Sequence, residues 1–94
     1  MADVELEKLL EEFESAERRL EVRVPLIEEA LVELRTANTV ALEGYLGFGR
    51  VLKVTDEVRD ALDASGKLEM QELRNARDEA KAAVIQRRVA LAES

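Results

Sequence analysis

The sequence predicts an all-α protein, a long helical hairpin or small helical bundle with coiled-coil-like packing. Apolar residues recur every seven positions from Leu6 to Phe48, which is the spacing of one helix face. The 94 residues contain one proline, and alternation typical of strands is almost absent. A chain of this length supports one core, so residues 1–94 are interpreted as a single helical domain.

The first helix is predicted over residues 3–22. Its apolar positions, spaced three and four apart, include Leu6, Phe13 and Leu20. Pro25 then leaves two alternatives. The chain could reverse there and start a new helix, or the helix could continue with a kink. Since Ile27 keeps the seven-residue phase across Pro25, and Val24 is a poor N-cap, the pattern slightly favours continuation.

A middle helix is predicted over residues 26–64, with a bend near 44–49. Residues 50–55 could be read as a strand, but the spacing of Val51, Val54 and Val58 favours helix. A row of small or β-branched residues would let another helix approach closely. The row consists of Ala30, Ala37, Gly44, Val51 and Val58.

The bend contains three glycines in six residues, each of which costs a helix interior about 1 kcal/mol. The spacing is not that of a phosphate-binding loop, and no strand precedes it. Two interpretations remain: the apolar residues pack at a helix crossing, or they form an exposed knob that binds a partner. The partner-binding candidates are Tyr45, Leu46, Phe48 and Arg50.

The clearest turn is predicted at residues 63–67, where Gly66 suits the end of a helix and Ser65 offers a cap. A C-terminal helix over residues 67–92 would then fold back antiparallel on the middle helix. Its inward stripe is dominated by alanine, so its partner helix must come close.

Composition excludes much catalytic chemistry. The chain has no histidine and no cysteine, so it has no imidazole base, no thiolate nucleophile and no zinc site built from these ligands. The sequence therefore predicts no catalytic residue, no cofactor and no bound metal, and the protein is not expected to be an enzyme.

The net charge of −7 is concentrated in residues 1–34, which hold eleven acidic and four basic residues. This imbalance argues against direct nucleic-acid binding, which needs a basic face. The predicted acidic surface comprises Glu7, Glu11, Glu12 and Glu14. It is interpreted as a solvated helix face or, alternatively, as a nucleic-acid mimic. No stretch is apolar enough for a membrane span, and no signal peptide is visible, so a cytoplasmic location is expected.

A second chain is expected as a partner. A continuous middle helix of roughly 38 residues would be about 57 Å long, too long for the rest of the chain to cover. A homodimer or higher oligomer follows, with a seam between chains formed by Leu6, Phe13, Leu20, Ile27 and Leu34. If Pro25 instead reverses the chain, a compact monomer could bury the same residues.

The leading functional hypothesis is a non-catalytic protein–protein interaction module, an adaptor or inhibitor that acts as a helical oligomer on another protein. One alternative is a structural or assembly protein, such as a phage morphogenesis factor, scaffold or chaperone. Another is an acidic mimic that blocks a nucleic-acid-binding protein. Neither a membrane nor direct nucleic-acid contact is expected.

Overall fold

A computed structural model describes residues 3–42 and 50–94, with the side chains of residues 3–38 and 53–94. The elements in chain order are helix α1 (Val4–Leu34), strand β1 (Thr39–Leu42), strand β2 (Arg50–Lys53) and helix α2 (Asp56–Glu93). The two long helices pack against each other, which confirms the predicted helical hairpin. The division into three helices is wrong, because a two-stranded ribbon interrupts the predicted middle helix.

Helix α1 begins after Asp3, whose Oδ1 accepts a hydrogen bond from the Leu6 amide at 3.1 Å and caps the first turn. The helix then continues through Pro25 without reversal, which confirms the alternative that the seven-residue phase favoured, whereas the helix boundary predicted at residue 22 is wrong. Proline in a helix interior costs about 3 kcal/mol. Burial of Ile27 and Leu34 beyond it offsets this cost, while the Pro25 ring itself is exposed.

The predicted middle helix over residues 26–64 is also wrong. Helix α1 ends at Leu34, and β1 and β2 pair antiparallel, with Thr39 opposite Lys53 and Leu42 opposite Arg50. Both strands are rich in β-branched or large apolar residues, which favour a strand. The bend predicted at residues 44–49 lies outside the described residues.

Helix α2 begins after Thr55, whose Oγ1 accepts a hydrogen bond from the Val58 amide at 3.2 Å. It includes the predicted C-terminal helix and runs straight through residues 63–67, so the turn predicted there is wrong. Gly66 serves packing instead: a Cβ at this position would lie 3.1 Å from Leu31 Cδ2 and 3.3 Å from Ile27 Cγ2. Glycine therefore lets α1 approach α2 closely.

The shared core is thin. The described residues of the chain include five buried apolar side chains, and none of these is completely enclosed. The molecule measures 60 × 26 × 16 Å with a radius of gyration of 19.1 Å, against about 12 Å for a compact domain of this length. Within residues 3–42 and 50–94, no third helix covers the flanks of this single layer of two helices. The buried residues are Ala16, Ile27, Leu34, Met70 and Val84.

Candidate interaction surface

The residues predicted as a seam between chains lie on the face of α1 that packs against α2 of the same chain. Ile27 and Leu34 are buried there, and Leu6, Phe13 and Leu20 are half-buried. The sequence pattern had identified the right stripe, but the second half of the chain covers it. Ile27 and Leu34 are thus covered within the chain, and a seam between chains that uses the stripe stays a prediction.

The predicted aromatic knob is not tested. Tyr45, Leu46 and Phe48 lie outside the described residues. Arg50 begins strand β2 and pairs with Leu42 of β1. Its role in partner binding stays a prediction.

The predicted acidic residues Glu7, Glu11, Glu12 and Glu14 are exposed on α1. Two of them belong to a longer row that repeats every seven residues and directly follows the inward-facing stripe of α1. Helix α2 carries a matching basic row in the equivalent position, directly after Gly66 and its seven-residue repeats. The acidic row is Glu7, Glu14, Glu21 and Glu28, and the basic row is Lys67, Arg74, Lys81 and Arg88.

Both rows lie on one side of the hairpin, here called the charged side. In antiparallel helices, positions that directly follow the inward-facing residues fall on the same side. The spacing also sets each acid level with one base, because both rows advance in steps of seven. The level pairs are Glu7 with Arg88, Glu14 with Lys81, Glu21 with Arg74, and Glu28 with Lys67.

The opposite side, here called the open side, carries an ion pair between the middles of the two helices. The Arg23 guanidinium donates to Glu69 Oε1 from Nη2 at 2.6 Å and from Nε at 3.2 Å. Positions seven residues away from this pair share its side, and they are uniformly apolar and mostly small. They are Leu9, Ala16, Ala30 and Ala37 before the ribbon, and Leu62, Ala76, Ala83 and Ala90 in α2.

A groove of about 520 Å³ opens on this side, beyond the Arg23–Glu69 pair. Ser65 and Gly66 contribute to it from α2, and Leu26 and Ala30 from α1. Leu26 is 52% exposed, so about half of this apolar side chain is in contact with solvent at the edge of the groove. The small residues create the space, and the leucine gives the groove an apolar edge.

Other exposed apolar residues are distributed over the remaining surface. Val32 and Leu68 stand singly, while Ile85 and Val89 are neighbours near the end of α2. Isolated exposed apolar side chains are ordinary on soluble proteins. The open side differs because the exposed Leu26, a row of small residues and a groove coincide there.

Polar interactions secure both ends of the helix pair. Arg59 donates from Nε to the Leu34 carbonyl at 3.1 Å and from Nη2 to the Ala37 carbonyl at 3.2 Å, which satisfies backbone groups at the end of α1. At the other end, Arg87 donates to Asp3 Oδ2 at 2.7 Å. The Leu6 amide and then Arg87 hold the pKa of the Asp3 carboxyl below its usual value.

No group of three or more potential metal ligands occurs within residues 3–42 and 50–94. In the same part of the chain, neither helix contains a segment apolar enough to cross a membrane. The main features of the described surface are the apolar groove of the open side and several exposed ion pairs.

Sequence reasoning noted Ala30 and Ala37 as a small row but did not follow it back to Leu9 and Ala16. The signal was present: the positions three residues after the inward stripe are mostly apolar, and those directly after it are charged. The apolar row and the charged row can be assigned to opposite sides of a hairpin only when α1 and α2 are known to pair. Comparison of the chain with protein families, characterised proteins and solved structures finds no match.

Proposed function

We propose that this chain is a non-catalytic protein–protein interaction module that acts as a helical oligomer and binds through its open side. The observation that carries the proposal is the asymmetry of the two flanks. The charged side matches four acids with four bases, whereas the open side combines a row of apolar residues with a groove.

The small and apolar residues of the open side suit the binding of a helix from a partner. Small residues allow another helix to approach at short interaxial distance, and the exposed edge supplies apolar area to bury. Full burial of a leucine side chain contributes roughly 1.5–3 kcal/mol, so Leu26 would gain substantially from a partner. The favoured partner surface is an amphipathic helix with an apolar stripe.

A role in assembly is the second candidate, favoured by the 60 Å length of the hairpin. A rod with an apolar flank can align several copies or partners along its axis. The acidic-mimic hypothesis is weaker, because the acidic row of α1 lies beside a basic row that offsets its field.

The proposal is tested by photo-crosslinking inside the cells that produce the protein. A benzophenone amino acid is placed at Leu26 on the open side in one variant. The matched control carries it at Gln71, an exposed position between Lys67 and Arg74 on the charged side. We expect protein adducts from position 26 and few from position 71, as measured by mass spectrometry.

The identity of the adduct is not prescribed in this experiment, since either a second copy or another protein would support an interaction role for the open side. Equal adduct yields from the two positions would contradict the proposal, and so would the absence of adducts at position 26.

A further inference from the structure

We propose that a second copy of this chain occupies the open side, giving a four-helix dimer in which each α1 packs against α2 of the other copy. The inference rests on the proposed role of the open side and names its occupant. It places a two-fold axis parallel to the long axis of the hairpin, so that the two hairpins point in the same direction.

The exposed area is the first argument. The chain exposes 7582 Å², whereas a compact monomer of 10.6 kDa exposes about 5500 Å². The excess is roughly 2000 Å², while a stable dimer buries about 800 Å² on each partner. The hairpin therefore has enough surplus surface for a full interface between copies.

The sequence pattern is the second argument. A helix that contacts one neighbour needs about two apolar positions in every seven, whereas a helix between two neighbours needs about three. Helix α1 carries three apolar positions in seven: the inward-facing stripe, the row of the open side, and a third row of half-buried residues, Leu10, Val24 and Leu31. Helix α2 likewise carries the row of the open side together with two inward-facing rows, which contain Leu73 with Ala80 and Met70 with Val84. Each helix thus has the apolar pattern expected for two neighbouring helices, whereas the described part of one chain supplies one neighbour to each. A second hairpin supplies the other for both helices at once.

Charge selects the second copy and its orientation. On the open side α1 presents Arg19 beside Arg23, and α2 presents Glu72 beside Glu69. An axis along the hairpin brings Arg19 of each copy level with Glu72 of the other copy. A perpendicular axis would instead place α1 on α1 and bring the arginines near the middle of that helix together. Opposite charges across the interface favour the first arrangement.

The first test is the mass of the purified protein in solution. Sedimentation equilibrium of the full chain should give twice 10.6 kDa. The double variant Ala30→Glu/Ala76→Glu places carboxylates on the open side and should weaken the dimer at least about tenfold. The control Ala82→Glu changes an exposed alanine on the outer surface of the same helix and should leave the dimer intact.

Circular dichroism shows whether the double variant is still folded when the dimer is lost. A helical spectrum for the double variant, with loss of the dimer, supports the inference. A wild-type mass of 10.6 kDa across micromolar concentrations would overturn it, as would equal weakening by Ala82→Glu. If position 26 forms adducts with a different protein and the purified chain is monomeric, the open side does not bind a second copy. The proposed interaction role would still stand in that case.

The second test addresses orientation. The chain has no cysteine, so single cysteines report cleanly. An Ala30→Cys chain mixed with a Leu62→Cys chain should form a disulfide-linked heterodimer, because both positions line the groove. Linkage between two Ala30→Cys chains would instead indicate α1 against α1 and would overturn the proposed axis. Reversing charge by Arg19→Glu should weaken the dimer, and Glu72→Arg in the same chain should restore it.

Discussion

At the residue scale, Gly66 shows that a glycine typical of a helix end can instead lie inside a helix at a close contact with another helix. In isolation, glycine after Ser65 is typical of a helix end. In the structure it lies inside α2, against Leu31 and Ile27 of α1. The neighbouring helix decides its role, because Leu31 and Ile27 leave room at this position for little more than a methyl group.

We expect Gly66→Ala to stabilise the fold by about 0.5 kcal/mol. Alanine gains about 1 kcal/mol of helix propensity, and the new Cβ must displace a Leu31 methyl group by a few tenths of an ångström. Leu31 borders the open groove and has room to move. Gly66→Val should destabilise by about 1–3 kcal/mol, because two further carbons do not fit.

Urea denaturation followed by circular dichroism measures both variants. Ala64→Val, two residues away at an exposed position, controls for the lower helix propensity of valine. A Gly66→Val variant no less stable than Ala64→Val would contradict the close approach of the helices.

Asp3 joins a helix cap to a contact between helices. Its carboxylate accepts from the Leu6 amide and from Arg87, and both lower its pKa. A depressed pKa means that the carboxylate stabilises the folded state above its unfolded value of about 3.9, and that this contribution is lost as the pH falls through the lowered value. We therefore expect Asp3→Ala to lower the melting temperature at pH 7, with a smaller difference below about pH 3.

The comparison with Asp3→Asn separates the two contributions, since asparagine keeps a capping oxygen but loses the charge that faces Arg87. A melting-temperature difference between wild type and Asp3→Ala that is the same at both pH values would contradict this account.

At the scale of elements, the spacing of the two charged rows matches the alignment of α1 and α2, although the ion pairs seen between the helices in the described part of the chain are Arg23 with Glu69 and Arg87 with Asp3 and Glu5. A shift by one residue would disturb the level pairing of acids with bases along the charged side. The Arg23–Glu69 contact fixes the same alignment on the open side. Arg59 limits the pairing at the ribbon end by binding the last carbonyls of α1. Register is therefore defined by polar residues, while apolar burial provides most of the stability.

We expect reversal of the basic row to destabilise the hairpin by about 1–2 kcal/mol in low salt, since exposed pairs contribute roughly 0.2–1 kcal/mol each. The variant is Lys67→Glu, Arg74→Glu, Lys81→Glu and Arg88→Glu. Simultaneous replacement of the acidic row by lysine should recover most of the loss. Thermal unfolding with and without 1 M salt measures the effect, which should shrink in salt.

A third variant, in which only the acidic row is replaced by lysine, completes a double-mutant cycle with the other two variants. If the two reversals were additive, with no recovery in the combined variant, the rows would not interact.

At the scale of the whole molecule, the thin core and the excess surface have the same origin. Two helices in one layer bury one stripe each and leave their flanks exposed. A second layer is needed to enclose those flanks, as in most folded domains. Stability of the single hairpin is therefore expected to depend on association.

The melting temperature should rise with protein concentration, because dimer formation stabilises only the folded state. Scanning calorimetry over a hundredfold range of concentration checks this expectation. The Ala30→Glu/Ala76→Glu variant should show a melting temperature that is independent of concentration. A concentration-independent value for the wild type would contradict a folded state that depends on a second copy.

The sequence alone determined that the chain is helical at both ends, which stripe faces inward, and that histidine and cysteine chemistry are excluded. These properties follow from local periodicity and composition, which need no knowledge of the partner element. The seven-residue phase also favoured continuation of α1 through Pro25. Tertiary structure decided that a strand pair replaces the middle helix and that Gly66 is a contact rather than a turn. Each depends on residues distant in sequence, because burial and strand pairing gain their free energy only when a second segment is present.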